Sequence, residues 1–219
     1  MKTLDQYTPW SCCFVSGLTL LTLVVCHSST YGEIIAGWNF NDFVPEDQVH
    51  SSYVGDGVLT LDDRSAAWSA LQGTSLNAWD EWPSGSSLGI RGSASNGATV
   101  TIQHPIRTAF SSELTFAMRR SVTGFQEVHL DYLTEAGWIK LGSALLESEW
   151  SIARFRIPGA IGTLDYVSLR MTIEGATSSQ GTARFDNMLL HTIDIPAPGA
   201  LGVLFWGLRY TRRRPHVFE

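Results

Sequence analysis

Two tryptophans flank two acidic residues in a part of the sequence that is rich in serine and glycine. The segment runs Trp79, Asp80, Glu81 and Trp82, and it lies within a predicted loop over 72–87. Exposed aromatic rings stack on the faces of sugars, and neighbouring carboxylates accept hydrogen bonds from hydroxyl groups. Trp79, Asp80 and Trp82 are therefore candidate carbohydrate-binding residues. Alternatively, these tryptophans fold back and cover the core.

A second group of chemically capable side chains alternates along one predicted strand. Glu127, His129 and Asp131 lie two residues apart, so all three side chains leave the same face of the strand. Histidine and carboxylates are common ligands of divalent metals. Neighbours on one face of a strand are roughly 7 Å apart and converge poorly on one ion. The spacing therefore favours a solvated sheet face over a metal site.

Hydrolysis of a glycosidic bond needs two carboxyl groups that flank the bond. Two closely spaced acidic pairs are Asp80 with Glu81 and Glu147 with Glu149, and neither follows the tight Glu-x-Asp-x-x-Glu spacing of sandwich glycosidases. The sequence also contains no His-Glu-x-x-His helix and no phosphate-binding glycine loop. We therefore predict no catalytic residue and no enzyme, and we keep a secreted hydrolase as a second alternative.

The charge of the chain is unevenly distributed. Residues 33–194 carry ten Lys or Arg against nineteen Asp or Glu, whereas residues 196–219 carry four Arg against one Glu. A nucleic-acid-binding surface needs a basic face that contacts phosphates. The acidic central region therefore excludes nucleic acid as the main partner.

The elements that position these side chains are predicted to be strands. Short apolar and polar alternations are separated by clusters of Gly, Ser, Asn and Pro, which is typical of antiparallel sandwiches. The fold class is therefore all-β, with a jelly-roll-like sandwich of two antiparallel sheets. Strands are predicted at 34–40, 58–61, 88–91, 99–103, 114–119, 125–133, 138–141, 150–157, 166–173 and 183–191. Alternation within two of them predicts core positions at Phe116, Met118, Leu169, Met171 and Ile173.

Both ends of the chain carry signals of export. An apolar run over 14–25 follows Lys2 and precedes small polar residues, which predicts a secretory signal helix over 1–32. Cys12, Cys13 and Cys26 all lie in this segment, so the predicted ectodomain over 33–194 contains no disulfide. At the other end, residues 195–219 combine a Pro-rich linker, an apolar run and arginines. This order predicts a short membrane-directed helix whose basic end stays in the cytoplasm.

The tail resembles the PEP-CTERM sorting signal of exported Gram-negative bacterial proteins. Pro196 and Pro198 match the prolines of its Pro-Glu-Pro motif, with Ala197 in place of the glutamate, and Arg212, Arg213 and Arg214 match its basic cluster. The apolar run is shorter than the roughly twenty residues of a full span. The resemblance implies partners in the export machinery, a sorting or processing enzyme, and membrane contact through both termini.

The central region resembles the β-sandwich ectodomain that precedes PEP-CTERM tails. The resemblance is carried by five segments in order, at 38–42, 73–78, 87–90 with 96–97, 114–125 and 181–187. It implies an exported protein at the cell envelope, at the cell surface or outside the cell, with a structural, adhesive or extracellular-matrix role. A carbohydrate-binding module for extracellular polysaccharide is the alternative function.

In outline the same region is similar to jelly-roll carbohydrate-binding modules. These modules often hold a structural Ca²⁺ between the first and last strands, with carboxylate and carbonyl ligands. The resemblance makes Asp42 and Asp186 candidate calcium ligands. Asp186 would alternatively pair with an arginine such as Arg119 or Arg170, or accept backbone N–H groups at a strand end.

Overall fold

A computed structural model describes residues 32–62, 67–105, 111–159 and 166–193. The predicted signal helix and the predicted tail, with Pro196, Pro198 and Arg212 to Arg214, lie outside these residues. No helix in the described ranges is long and apolar enough to cross a bilayer.

The described residues form thirteen strands and one short 3₁₀ turn at Ser93–Ser95. The strands are β1 (Ile34–Trp38), β2 (Val49–Ser51), β3 (Val54–Gly55), β4 (Val58–Leu61), β5 (Ala67–Gln72), β6 (Ser86–Arg91), β7 (Ala98–Pro105), β8 (Ser112–Arg120), β9 (Glu127–Thr134), β10 (Gly137–Leu145), β11 (Ser151–Ile157), β12 (Tyr166–Glu174) and β13 (Thr182–Thr192).

The strands assemble into two antiparallel sheets. One sheet has six strands in the order β10-β9-β12-β7-β4-β2. The other has seven strands, with β11-β8-β13-β1-β3 as its main path, β6 paired to β13, and β5 paired to β6. The predicted all-β class and the two-sheet antiparallel sandwich are confirmed. The prediction missed the short strands β2 and β3 and left the run that forms β5 unassigned.

Apolar residues from both sheets meet in one continuous core. The positions that alternation predicted are all buried, with Phe116, Leu169, Met171 and Ile173 at 0% exposure and Met118 at 3%. Burying an apolar side chain of this size stabilises the fold by about 1.5–3 kcal/mol. The outward-facing positions of the same strands carry the polar side chains discussed below.

β13 is the central strand of the larger sheet and contains an irregularity that positions the candidate site. On one side it pairs with β8, and on the other it pairs first with β6 and then with β1. The register with β8 shifts between Asp186 and Leu189. Asn187 there has a φ of 46°, a left-handed conformation that Asn tolerates better than most residues. Because β6 and β1 separate at this bulge, the loop between β5 and β6 can reach β13.

Candidate functional site

The loop 73–85 between β5 and β6 is fastened to the bulge of β13 by side-chain amides. The Asn187 amide donates to the carbonyl oxygens of Thr74 and Leu76, at 2.7 and 2.9 Å. In return, the Asn77 amide donates to the Asn187 carbonyl at 2.7 Å. These bonds satisfy backbone carbonyls that would otherwise be unpaired where the loop crosses the sheet. The loop is therefore held in one conformation on the outer face of the seven-stranded sheet.

Asp186 completes this attachment from a buried position, with 1% exposure. Its carboxylate accepts the backbone N–H groups of Thr74, at 2.7 Å, and of Asn187, at 2.8 Å. Burial raises the pKa of Asp186 to about 7, although the two N–H groups oppose the shift. Of the alternatives that the sequence left open, acceptance of backbone N–H groups is the one observed. Arg170 instead pairs with Asp131.

Several neutral oxygens surround this carboxylate. A Cβ atom at Gly73 would overlap Asp186 Oδ2 and the carbonyl oxygens of Ser84 and Ser86, so these three oxygens converge on one point. Asn187 Oδ1 is buried and has no hydrogen-bond partner among the described residues. This donor set fits the oxygen preference of Ca²⁺. The described ranges contain no cluster of three or more His, Cys, Asp or Glu side chains that could hold a metal, so an ion here would need neutral oxygens among its ligands.

Asp42 is the other predicted calcium ligand, and its surroundings differ from those of the buried Asp186. It is exposed in the turn after β1 and lines a cleft of about 190 Å³ together with Asn39, His50 and Tyr53. Asp186, by contrast, lies beside the carbonyl oxygens of Ser84 and Ser86. The structure therefore gives the two predicted ligands different surroundings.

Three aromatic rings form a row that begins at Tyr53, in the lining of this cleft. Trp82 is 8% exposed and lies over Gly37, where a Cβ would come within 2.9 Å of its ring. Tyr53 and Trp79 contact it edge-to-face from either side, with centroid distances of 5.9 and 6.0 Å. Tyr53 is 65% exposed and Trp79 is 38% exposed. Trp82 thus covers the sheet and supports two outer rings that face solvent.

The structure brings two of the three predicted sugar-binding residues into direct contact, namely Trp79 and Trp82. Asp80, which has a φ of 53°, follows Trp79. Because Asp80 is exposed, its carboxylate is available to a ligand. Tyr53 was not predicted. It is a single aromatic residue in a short polar segment, and only the fold brings it to Trp82.

Ser87 in β6 has the flanking glycines of a catalytic serine motif but not the structural surroundings of a catalytic serine. Gly85, Ser87 and Gly89 follow the Gly-x-Ser-x-Gly pattern of a nucleophile elbow, which requires a sharp turn between a strand and a helix. Ser87 instead lies within β6, fully buried, and its hydroxyl is directed to the carbonyl oxygens of Leu71 and Gln72. Its role is to join β6 to β5.

The outer face of the six-stranded sheet carries the alternating polar trio of the sequence analysis. Asp131 accepts from Arg170 at 2.9 Å. The ring nitrogens of His129 lie 3.5 Å from Glu127 and 3.7 Å from Glu174. All are partly or fully exposed, so this face carries the Arg170–Asp131 ion pair and the polar contacts of His129 at the solvent surface, as the spacing favoured.

The fold and these surroundings define an antiparallel β-sandwich with an exposed aromatic row on one sheet. Among solved structures, the chain is similar to the tandem CBM22-1–CBM22-2 domain of Xyn10C from Paenibacillus barcinonensis, with a TM-score of 0.50, 9% sequence identity, and coverage of 78% of this chain and 49% of that one. It is also similar to the CBM22-1 xylan-binding domain of the same protein, with a TM-score of 0.48, 8% identity, and coverage of 75% and 97%.

A third similar structure is TmCBM61 in complex with β-1,4-galactotriose, with a TM-score of 0.44, 10% identity, and coverage of 71% of this chain and 94% of that one. No protein-family model and no curated protein matches the sequence. At these identities the likeness establishes the fold alone, which is the two-sheet β-sandwich found in carbohydrate-binding modules.

Proposed function

We propose that this chain is an exported polysaccharide-binding module that contacts sugar rings with Tyr53 and Trp79. The observation that carries the proposal is the row in which a buried Trp82 supports these two exposed rings beside a cleft. Water-exposed aromatic surface is costly, and a ligand that covers it recovers that cost. Asp80 and Asp42 supply carboxylates next to the two rings. The similarity of the fold to carbohydrate-binding modules supports the same function.

Binding of the soluble ectodomain to a panel of neutral and acidic polysaccharides tests this proposal. Tyr53→Ala and Trp79→Ala should each weaken binding by about tenfold, because each removes a stacking surface. Tyr166→Ala is a matched control, since Tyr166 is also exposed, at 57%, but lies on the other sheet. Binding that is equal for all three variants, or absent for the unmodified ectodomain, would contradict the proposal.

The proposed role is binding without catalysis. The acidic pairs Asp80–Glu81 and Glu147–Glu149 are exposed surface side chains, and the buried Asp186 faces the loop backbone. A structural or adhesive role in an extracellular matrix is compatible with polysaccharide binding, because attachment to a glycan would itself produce adhesion.

The proposal also includes export to the envelope and sorting by the PEP-CTERM-like tail. The sequence features at 1–32 and 195–219 support it. Cell fractionation of tagged protein, with and without residues 196–219, tests it directly. We expect the full chain in the envelope or medium, and a full chain that stays in the cytoplasm would contradict both export and anchoring.

A structural calcium ion at Asp186 is a further part of the proposal. The supporting observation is the group of oxygens around Gly73 together with the unpartnered Asn187 Oδ1. An ion bound there would stabilise the folded state, since it binds the unfolded chain poorly. We expect a chelator to lower the melting temperature of the unmodified protein but not of Asp186→Asn. An unchanged melting temperature in chelator would rule out the ion.

A further inference from the structure

Two arginines lie directly opposite each other on the outer face of the seven-stranded sheet. Arg119 of β8 and Arg184 of β13 are register partners, and both alternate with core residues, so both side chains point outward. Side chains in such a pair have Cβ atoms about 4.5–5.5 Å apart, and like charges in this position are destabilising. Burial and the charge of Arg119 both lower the pKa of Arg184.

No carboxylate compensates this pair within the described residues. The arginines that form ion pairs there are Arg154, Arg156 and Arg170. Asp186 is two residues from Arg184 on the same face, but its oxygens accept N–H groups of the loop. Two adjacent guanidinium groups are thus left with uncompensated charge in a region, residues 33–194, that is acidic overall.

The surroundings of the pair are suited to a small planar anion. Arg184 donates to the Gln72 carbonyl at 3.2 Å, which orients its guanidinium group. Arg119 lies over the ring of Trp150, with 5.8 Å between its Cζ atom and the ring centroid. Guanidinium groups match the geometry of a carboxylate and bind it through two parallel hydrogen bonds. The partly exposed indole of Trp150 lies next to them and adds an aromatic surface to the site.

We propose that Arg119 and Arg184 bind the carboxylate of an acidic sugar, so that the polysaccharide recognised by this chain contains uronic acid. This inference rests on the proposed polysaccharide-binding function and specifies the class of its ligand. The net negative charge of residues 33–194 limits how acidic that ligand can be. Residues 33–194 carry nine more acidic than basic residues, which disfavours densely charged polymers. The ligand is therefore a glycan in which single uronic acids are spaced along a mostly neutral chain.

A titration of the ectodomain with D-glucuronate, with D-glucose and with methyl sulfate tests the site itself. We expect a saturable change in the NMR signals of the Arg119 and Arg184 Nε–H groups and of the Trp150 indole N–H with glucuronate, and none with glucose. Arg119→Gln should weaken glucuronate binding about tenfold, since it removes a charge-assisted bidentate contact. Arg154→Gln is the control, because Arg154 already pairs with Glu113.

The melting temperature separates loss of a ligand contact from loss of fold. Because Arg119 opposes a like charge, Arg119→Gln should melt at the same temperature as the unmodified protein or higher. A variant that melts clearly lower and loses binding would show that Arg119 is structural. A response to methyl sulfate equal to that for glucuronate would make the ligand a sulfate ester instead and would overturn the uronic-acid assignment.

The polysaccharide panel then distinguishes the two proposals. We expect glucuronate-substituted xylan to bind about tenfold more tightly than unsubstituted xylan, with the difference lost in Arg119→Gln. Equal binding of neutral and acidic polysaccharides, weakened by Trp79→Ala, would overturn the uronic-acid inference and retain the proposed function. A saturable glucuronate response without polysaccharide binding would retain the anion site and overturn the function. No response in either assay would overturn both.

Discussion

The two sheets each present an arginine over a tryptophan, and the two pairs differ in what stands beside the arginine. On the six-stranded sheet, Arg170 lies 4.4 Å from the ring centroid of Trp138 and also binds Asp131. On the seven-stranded sheet, Arg119 lies over Trp150 and faces Arg184. The first guanidinium is neutralised within the fold, whereas the second has unused hydrogen-bonding capacity. The same residue types thus form a closed surface on one sheet and a candidate ligand site on the other.

The outer faces also differ in how they are covered. On the six-stranded sheet the charged side chains are partly or fully exposed, and their interactions are ordinary surface ion pairs. On the seven-stranded sheet the loop 73–85 covers the bulge of β13 and buries Asp186 beneath it. Surface pairs contribute little to stability, while buried polar groups contribute strongly in either direction. The two faces should therefore respond very differently to pH and to substitution.

The largest expected difference is the pH dependence that Asp186 creates in chelated, calcium-free protein. Its pKa of about 7 in the folded protein lies above the ordinary aspartate value of 3.8, so the folded state holds the proton more tightly than the unfolded state. The resulting stability is fully present below pH 3.8 and is lost as the pH rises to about 7. The slope is about 1.4 kcal/mol per pH unit for one group. Urea unfolding between pH 3.8 and about pH 7 should show this decrease in the free energy of unfolding.

Matched variants isolate this contribution. Asp186→Asn should remove the slope, whereas Asp131→Asn on the other sheet should retain it. Burial lowers the pKa of His104 and His191, so below pH 6.5 these groups change stability in the opposite sense. The comparison of unmodified protein with Asp186→Asn cancels their contribution. Identical pH profiles for these two proteins would mean that Asp186 is ionised throughout the range.

Gly73→Ala should have the next largest effect, because its Cβ would overlap Asp186 Oδ2 and the carbonyl oxygens of Ser84 and Ser86. The loop would have to leave the bulge, with loss of its hydrogen bonds to Asp186 and Asn187. We expect a loss of about 3 kcal/mol in the free energy of unfolding, measured in urea. Gly142→Ala in β10 is the control, since its Cβ would make only a 3.6 Å contact with Phe155. Equal losses in the two variants would refute a special constraint at Gly73.

Local patterns predicted the framework of this molecule better than its sites. Alternation identified buried Leu169 and Met171 correctly because that signal lies within one strand. The position of Trp82 over Gly37 depends on two segments 45 positions apart in sequence, so the sequence could place Trp82 only in a loop. Neighbouring strands and their register also decide which charge faces Arg119, and a bulge in β13 shifts that register. Sites formed across strands were therefore beyond the reach of spacing arguments.

The smallest expected effect tests the opening comparison most directly. Arg170→Gln breaks a surface ion pair and should lower the free energy of unfolding by up to about 1 kcal/mol. Arg119→Gln relieves a repulsion and should leave the free energy of unfolding without a measurable decrease. Arg170 lies closer to its tryptophan than Arg119 does, at 4.4 Å against 5.8 Å, so the difference between the variants contains a ring-contact part and a charge part. Urea unfolding at low and at high salt checks the cause, since salt screens exposed charges. The difference in unfolding free energy between the variants should shrink in high salt. A difference that persists in high salt would mean that packing against Trp138 and Trp150, not charge, separates the two faces.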